Sequence, residues 1–216
     1  MADIFNEIDE ELRRDKAQEW WSRYGKIVIA VCVVIVLGAA GYTWYEQQRV
    51  AEERALADRF DAARVQAEAG DLSGAAGALE ALADEAGVAG VELVARFHRA
   101  GLLGTDGDHA GAAEAYAALS QDSAVPALYR DLATVMEVLH AGRAGGDRAE
   151  LLDRLQPMTV DASPWRHTAR MIAASLAIGA GDLDAAKEYL RQVADDPQAP
   201  GSARGQSAEI LQALGS

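Results

Sequence analysis

The chain has 216 residues, with 20 lysines and arginines against 34 aspartates and glutamates, for a formal charge of −14. An acidic surplus of this size weighs against nucleic acid and anionic lipid headgroups as principal partners, because phosphate binding needs a basic face. The single cysteine, Cys32, rules out a disulfide within the chain, so stability must come from packing.

Residues 1–26 carry seven acidic and five basic side chains and lead into an uncharged run, Ile27 to Tyr45. Its 19 residues span roughly 28 Å as a helix, about the thickness of a bilayer core. Trp20, Trp21 and Tyr24 precede the run, and Tyr42, Trp44 and Tyr45 end it, so amphipathic rings fall where both headgroup layers would lie. The expectation is a transmembrane helix over 27–45. A cleaved secretory signal is the competing reading, with Ile27 to Leu37 as its apolar core and the small residues Gly38, Ala39, Ala40 and Gly41 as the cleavage region. Against cleavage, the long acidic leader is unlike a short basic one, and apolar character resumes beyond the small residues.

Arg13, Arg14, Lys16, Arg23 and Lys26 lie ahead of the span; Arg49, Arg54 and Arg59 follow within fifteen residues. That bias places the N-terminus in the cytoplasm and residues 46–216 outside it. Cys32, inside the apolar run, reads as a small apolar filler rather than a reactive thiol. Beyond the span, "EQQRVAEERALADRFDAARVQAEAG" holds no proline, and no glycine before Gly70, so the span is able to run directly into the next helix.

The remainder is alanine-rich, with glycines punctuating amphipathic stretches, which is a helical composition. It carries 27 acidic and 15 basic residues, about −12 of the total charge. Gly-Asp recurs four times: "GDLSGAAGALEAL" at Gly70, "GDHAGAAEAYAAL" at Gly107, "GDRAELLDRLQPM" at Gly146 and "GDLDAAKEYLRQV" at Gly181, spaced by 37, 39 and 35 residues. Five residues after each glycine stand Ala75, Ala112, Leu151 and Ala186; nine after, Leu79, Tyr116, Leu155 and Leu190; twelve after, Leu82, Leu119, Met158 and Val193. Fourteen residues before stand Leu56, Leu93, Leu132 and His167; ten before, Phe60, Phe97, Met136 and Met171; seven before, Ala63, Ala100, Leu139 and Ala174.

Each unit therefore reads as a helix, a glycine ending it at positive φ, an aspartate capping the next helix, and that second helix. One such pair cannot bury both apolar stripes, so about four pairs must stack into a solenoid, closed by a terminal helix in "GSARGQSAEILQALGS". The predicted fold is all-α: one N-terminal transmembrane helix, then a repeat domain over 46–216.

On these residues the chain resembles the tetratricopeptide repeat, whose second helix opens with a similar glycine, acidic residue and alanine, although Leu151 stands where alanine is expected. Its beginning, "MADIFNEIDEELRRDKAQEWWSRYGKIVIAVCVVIVLGAAGYTWYEQQ", is similar to the start of a bacterial family of single-span, tetratricopeptide-like ancillary subunits of the Sec translocon. That resemblance implies an inner-membrane protein with a cytoplasmic N-terminus and a periplasmic repeat domain. The partners it implies are the SecYEG translocon, a periplasmic chaperone or folding factor, and unfolded or emerging polypeptide segments.

Signals for chemistry are weak. His98, His109, His140 and His167 are far apart in sequence, and none pairs with cysteine or carboxylate at metal-ligand spacing. "DASPWRHTAR" brings Asp161, Ser163 and His167 close, but no nucleophile elbow surrounds Ser163, and the stretch reads as a helix start with Pro164 in the first turn. No enzyme, metal or cofactor is expected. The expected functional surface is a groove formed by the first helices of the repeats, with Phe60, Arg64, Phe97, Met136, His140 and Met171 as its candidate residues. The stripe of Phe60, Phe97, Met136 and Met171 with Leu56, Leu93 and Leu132 equally suits buried positions, while solvation is expected for Arg64, His140 and Arg143. An anchored scaffold for another envelope assembly, in cell division or respiratory-complex maturation, and a cleaved soluble periplasmic protein stay open beside the translocon reading.

Overall fold

The computed structural model describes residues 2–86 and 89–215, with side chains described for 20–27, 29–86 and 90–215. The side chains of the predicted N-terminal segment before Trp20, Val28 within the predicted span, and the last residue of the predicted cap lie outside that description.

Nine helices and no strand occur among the described residues. They are α1 (Ala2–Glu68), α2 (Leu72–Glu85), α3 (Ala89–Thr105), α4 (His109–Gln121), α5 (Ala127–Arg143), α6 (Arg148–Thr159), α7 (Arg166–Ala180), α8 (Leu183–Ala194) and α9 (Gly201–Ala213). The chain divides into two units, 1–55 and 56–216.

The first unit is helix throughout its described residues. The described apolar side chains at the centre of its uncharged run lie open: Ile27, Ile29, Val31 and the consecutive Val33 to Leu37 are all exposed, Val34 to 69%. Consecutive residues of a helix point around its whole circumference, so this stretch is apolar on every side. The helix is long and apolar enough to cross a membrane. Between Glu46 and Ala55 its backbone is unbroken, and Arg49 pairs with Glu46 and Glu53 on that stretch.

The second unit consists of four helix pairs and a cap. Its apolar cores follow the chain in overlapping sets of three helices. Ala63, Leu79, Leu82 and Ala95 join α1, α2 and α3. Ala100, Tyr116, Leu119 and Ala133 join α3, α4 and α5. Val135, Leu155 and Ile172 join α5, α6 and α7, and Ala174, Leu190 and Leu211 close α7, α8 and α9. Each set touches only its neighbours, the packing logic of a solenoid. The second-helix stripes read from the sequence are buried throughout, apart from the half-buried Met158.

The junctions explain the Gly-Asp rhythm. Gly70, Gly107 and Gly181 all take positive φ, between 82° and 92°, a conformation costly for side chains with a Cβ. The aspartate that follows each of them accepts a hydrogen bond from a backbone N–H in the first turn of the next helix: Asp71 from Gly74, Asp108 from Gly111 and Asp182 from Ala185. The third junction differs from expectation. Gly145, not Gly146, takes the left-handed conformation, at φ 87°. Gly146 N–H then donates to Ala141 O at 2.9 Å, the role Asp71 and Asp182 play at their junctions with Gln66 O and Ala177 O. Asp147 is displaced one residue onward and caps Ala149 and Glu150, so the irregular spacing around Gly146 reflects one inserted residue.

A second difference lies at Ser163-Pro164. Helix α7 begins at Arg166, not at Pro164, and Ser163 Oγ accepts from Trp165 N–H within the preceding turn. The indole of Trp165 reaches back to donate to Leu128 O, which holds that turn against the start of α5.

Candidate partner groove and a histidine pair

Helices α3 and α5 are first helices of successive repeats, and their N-terminal halves enclose a groove of about 640 Å³. On α3, Leu93 and Phe97 stand four residues apart and so share a face, with Val94 beside them. On α5, Tyr129 and Leu132 are three apart and face the same space; Val125 and Pro126 from the α4–α5 loop line it as well. The loop is shaped by Asp122, whose Oδ1 accepts from Ala124 N–H, and by Pro126, whose extended ψ of 140-odd degrees leads into α5. Arg130 Nη1 donates to Val125 O at 2.7 Å and fixes the loop from the helix side.

The rim is polar. Arg96 Nη1 donates to Asp122 Oδ2 at 2.8 Å and to Glu92 Oε1 at 3.4 Å. The Arg96 hydrogen bond, with that from Ala124 N–H, holds the Asp122 carboxyl below the usual carboxylate range. A mostly apolar trough with a few fixed polar groups at its edge suits an extended segment bearing apolar side chains.

The predicted site residues fall in several places. Phe97 lines the groove. Phe60 meets His98 edge-on at 4.9 Å between ring centroids, and His98 is itself a groove residue. Met136 is half-buried and packs on the α3–α4–α5 core, and Met171 is half-buried on α7. Arg64 is exposed and paired with Asp61 and Glu68 along α1. His140 departs from the solvation expected for it: it is only 5% exposed, under α3 and α4. Sequence reasoning passed over Val94, Arg96, Asp122 and Tyr129. The spacing of Tyr129 to Leu132, matching that of a helix face, was the signal for one of them.

The fold also pairs two histidines that lie far apart in sequence. His109 opens α4, His140 sits in the last turn of α5, and their Nδ1 atoms are 3.3 Å apart. Tyr116 stacks on His140 at 5.6 Å and 18°. On α3, Gly104 lies so close that any Cβ there would run into the His140 ring. Burial, then the neighbouring His109 and Arg143 charges, push His140 below the usual histidine range.

The three side chains that are close in sequence each bond to a different partner. His167 Nε2 meets Asp196 Oδ2 at 2.7 Å, Asp161 Oδ1 accepts from Arg170 Nη2, and Ser163 Oγ accepts from Trp165 N–H. No cluster of three or more histidine, cysteine or acidic side chains suited to a metal occurs among the described residues.

Comparison with known proteins gives one family. The model of the tetratricopeptide repeat-like domain matches residues 18–135, from just ahead of Trp20 to the middle of α5, and so includes both the uncharged run 27–45 and every residue that lines the groove. No curated protein and no solved structure matches the chain. With more than half its length matched and helix pairs stacked in the manner the repeat requires, the chain belongs to the tetratricopeptide repeat-like domain family.

Proposed function

We propose that this protein is a membrane-anchored partner-binding module of the bacterial inner membrane. Residues 27–45 span the bilayer, 1–26 lie in the cytoplasm and 46–216 lie in the periplasm. Within the family, the translocon-linked role is the reading favoured by the resemblance of "DEELRRDKAQEWWSRYG" and the span to ancillary SecYEG subunits. The module would bind apolar segments of chains as they emerge, or dock a periplasmic chaperone beside them.

The observation that carries this reading is the α3–α5 groove, a long apolar trough in a chain that also holds an uncovered apolar helix. Anchoring raises the local concentration of a weak binding site near its clients, so high affinity is not required. Side chains lining the trough are apolar enough to take successive residues of an unfolded segment, and the Arg96–Asp122 pair gives polar contacts for its backbone.

Photo-crosslinking in cells tests the proposal, with the crosslinker placed at Val94, at Tyr129 and, for the span, at Val36. Adducts with translocon subunits from the span, and with emerging chains or a chaperone from the groove, are the expected result. Recovery of a cell-division or respiratory assembly without translocon subunits overturns the translocon role. A mature N-terminus near Gly41 overturns the anchor.

A further inference from the structure

We infer that His109 and His140 form a proton-operated clamp between α4 and α5, closed by a bond between their Nδ1 atoms and opened when both rings are protonated. The geometry fits this use. At 3.3 Å, the two Nδ1 atoms are placed for an N–H on one ring to meet the lone pair of the other. Adding one proton leaves an N–H facing a lone pair, so the bond survives. Adding a second turns both nitrogens into donors, and two like charges then face each other at that distance.

The surroundings make the second proton costly. From α4, His109 follows the capping Asp108, whose carboxylate is taken up by the Gly111 N–H. Tyr116, also on α4, contributes a phenol whose burial raises its pKa, so it stays neutral through this range. From α5 itself comes the Arg143 guanidinium, of the same sign. From α3 comes Gly104, which presents no charge and leaves the ring no room to withdraw. Among the described residues, no carboxylate acts on His140 to stabilise its cation. The doubly protonated pair must therefore separate, and because the His140 ring is confined under α3, the opening is carried by His109 and the start of α4 moving away from α5.

That shift has a path to the groove. Tyr116 stacks on His140, its ring lies 5.9 Å from Phe97, and Phe97 lies 6.3 Å from Tyr129. Phe97 and Tyr129 are groove walls. Opening the clamp therefore moves the walls, whatever segment the groove receives, and this inference does not depend on the translocon reading.

The test is an NMR titration of the full chain in detergent micelles, from about pH 8 to about pH 4.5, with histidine and aromatic side chains labelled. The expected result is two coupled protonation steps, with the Phe97 and Tyr129 ring signals moving through the second while helical circular dichroism is retained. In His109→Ala the His140 ring should titrate in one step, at higher pH than its step in the parent, and the groove signals should lose their second transition. A His140 ring that titrates identically in the parent and in His109→Ala overturns the clamp. So do groove rings that stay still through the second step. His109 is the residue replaced because it is less buried than its partner, so its loss leaves the packing around His140 in place.

Discussion

His167 Nε2 lies 2.7 Å from Asp196 Oδ2 and ties the first turn of α7 to the loop between α8 and α9. The same carboxylate accepts from Arg166 Nε at 3.2 Å, while its other oxygen accepts from Gln198 N–H at 2.8 Å. One side chain thus holds the last helix pair in register with the cap. The His167 bond first, then the Gln198 N–H, lower the Asp196 carboxyl to about 2. Because the folded value lies below the unfolded one, the unfolded chain takes up the proton first as acid is added. The stabilisation is complete above about pH 4 and is lost as pH falls toward about 2. Asp196→Asn should unfold at lower temperature than the parent at neutral pH and show a flatter decline of melting temperature over that acidic window. Parallel declines for the two proteins would refute the assignment.

Glycines separate three physical demands. Gly77 is mid-helix in α2 with open space around it, so Gly77→Ala should stabilise the repeat domain by about 0.5–1 kcal/mol through helix propensity. Gly145 holds positive φ, so alanine there should cost about 1–2 kcal/mol. At Gly104 the obstacle is contact: a Cβ meets the His140 ring, and alanine must push α3 from α5 or displace the ring. Urea unfolding of the three variants should rank them Gly77→Ala above the parent and both others below it. Equal stability of Gly145→Ala and the parent would contradict the junction assignment.

The rhythm of helices was readable because its causes are local. A glycine at positive φ and an aspartate capping three residues on leave a fixed mark in sequence, and the Ala75, Leu79, Leu82 series has the period of a helix face. At Gly145-Gly146 two candidates sit side by side and only backbone geometry chooses between them. Trp165 delays α7 because its indole bonds Leu128 O, an acceptor 37 positions earlier that no local pattern reveals. The same limit hid the burial of His140. Its place on α5 looks like a helix face open to solvent, and only the absence of a side chain at Gly104, on a different helix, lets α3 close over it. Of the groove, Leu93, Phe97 and Leu132 were legible as stripe residues; Arg96 and Asp122 were not, since their pairing depends on the loop that folds between α4 and α5.

Ser207 is wholly buried in α9, and its hydroxyl has no hydrogen-bond partner among the described residues. Burying an unpaired hydroxyl costs free energy, and alanine removes it with little change of volume. Ser207→Ala should therefore raise stability by about 1 kcal/mol, measured as a higher urea midpoint at unchanged m-value. A loss of stability would show that the hydroxyl is satisfied after all.

If the groove binds extended apolar segments, its aromatic walls should dominate the affinity. Phe97→Ala and Tyr129→Ala should each weaken binding of a fluorescent, unstructured apolar peptide by about tenfold or more, as central aromatic contacts do. Phe97 also packs on the α3–α4–α5 core, so its variant will lose stability as well; Tyr129, which is exposed, gives the cleaner comparison. Fluorescence anisotropy in detergent micelles reads the affinity. Val65→Ala, on an exposed position of α1 outside the groove, serves as the control and should bind as the parent does.

The proposed span makes the most direct prediction. Val33 and Leu37 are one helical turn apart, so both sit near the middle of the 27–45 run on the same face. An arginine at the centre of a spanning helix costs about 2.5–3.5 kcal/mol on insertion scales, against a small gain for the valine or leucine it replaces. The double variant Val33→Arg, Leu37→Arg should therefore fail to resist alkaline extraction from membranes, while the parent stays in the pellet. The repeat unit has its own apolar cores over 56–216, built without these two residues. Loss of membrane retention should consequently come without loss of the repeat unit's protease-resistant core. A double variant that remains as firmly embedded as the parent would show that something other than this helix holds the protein to the membrane.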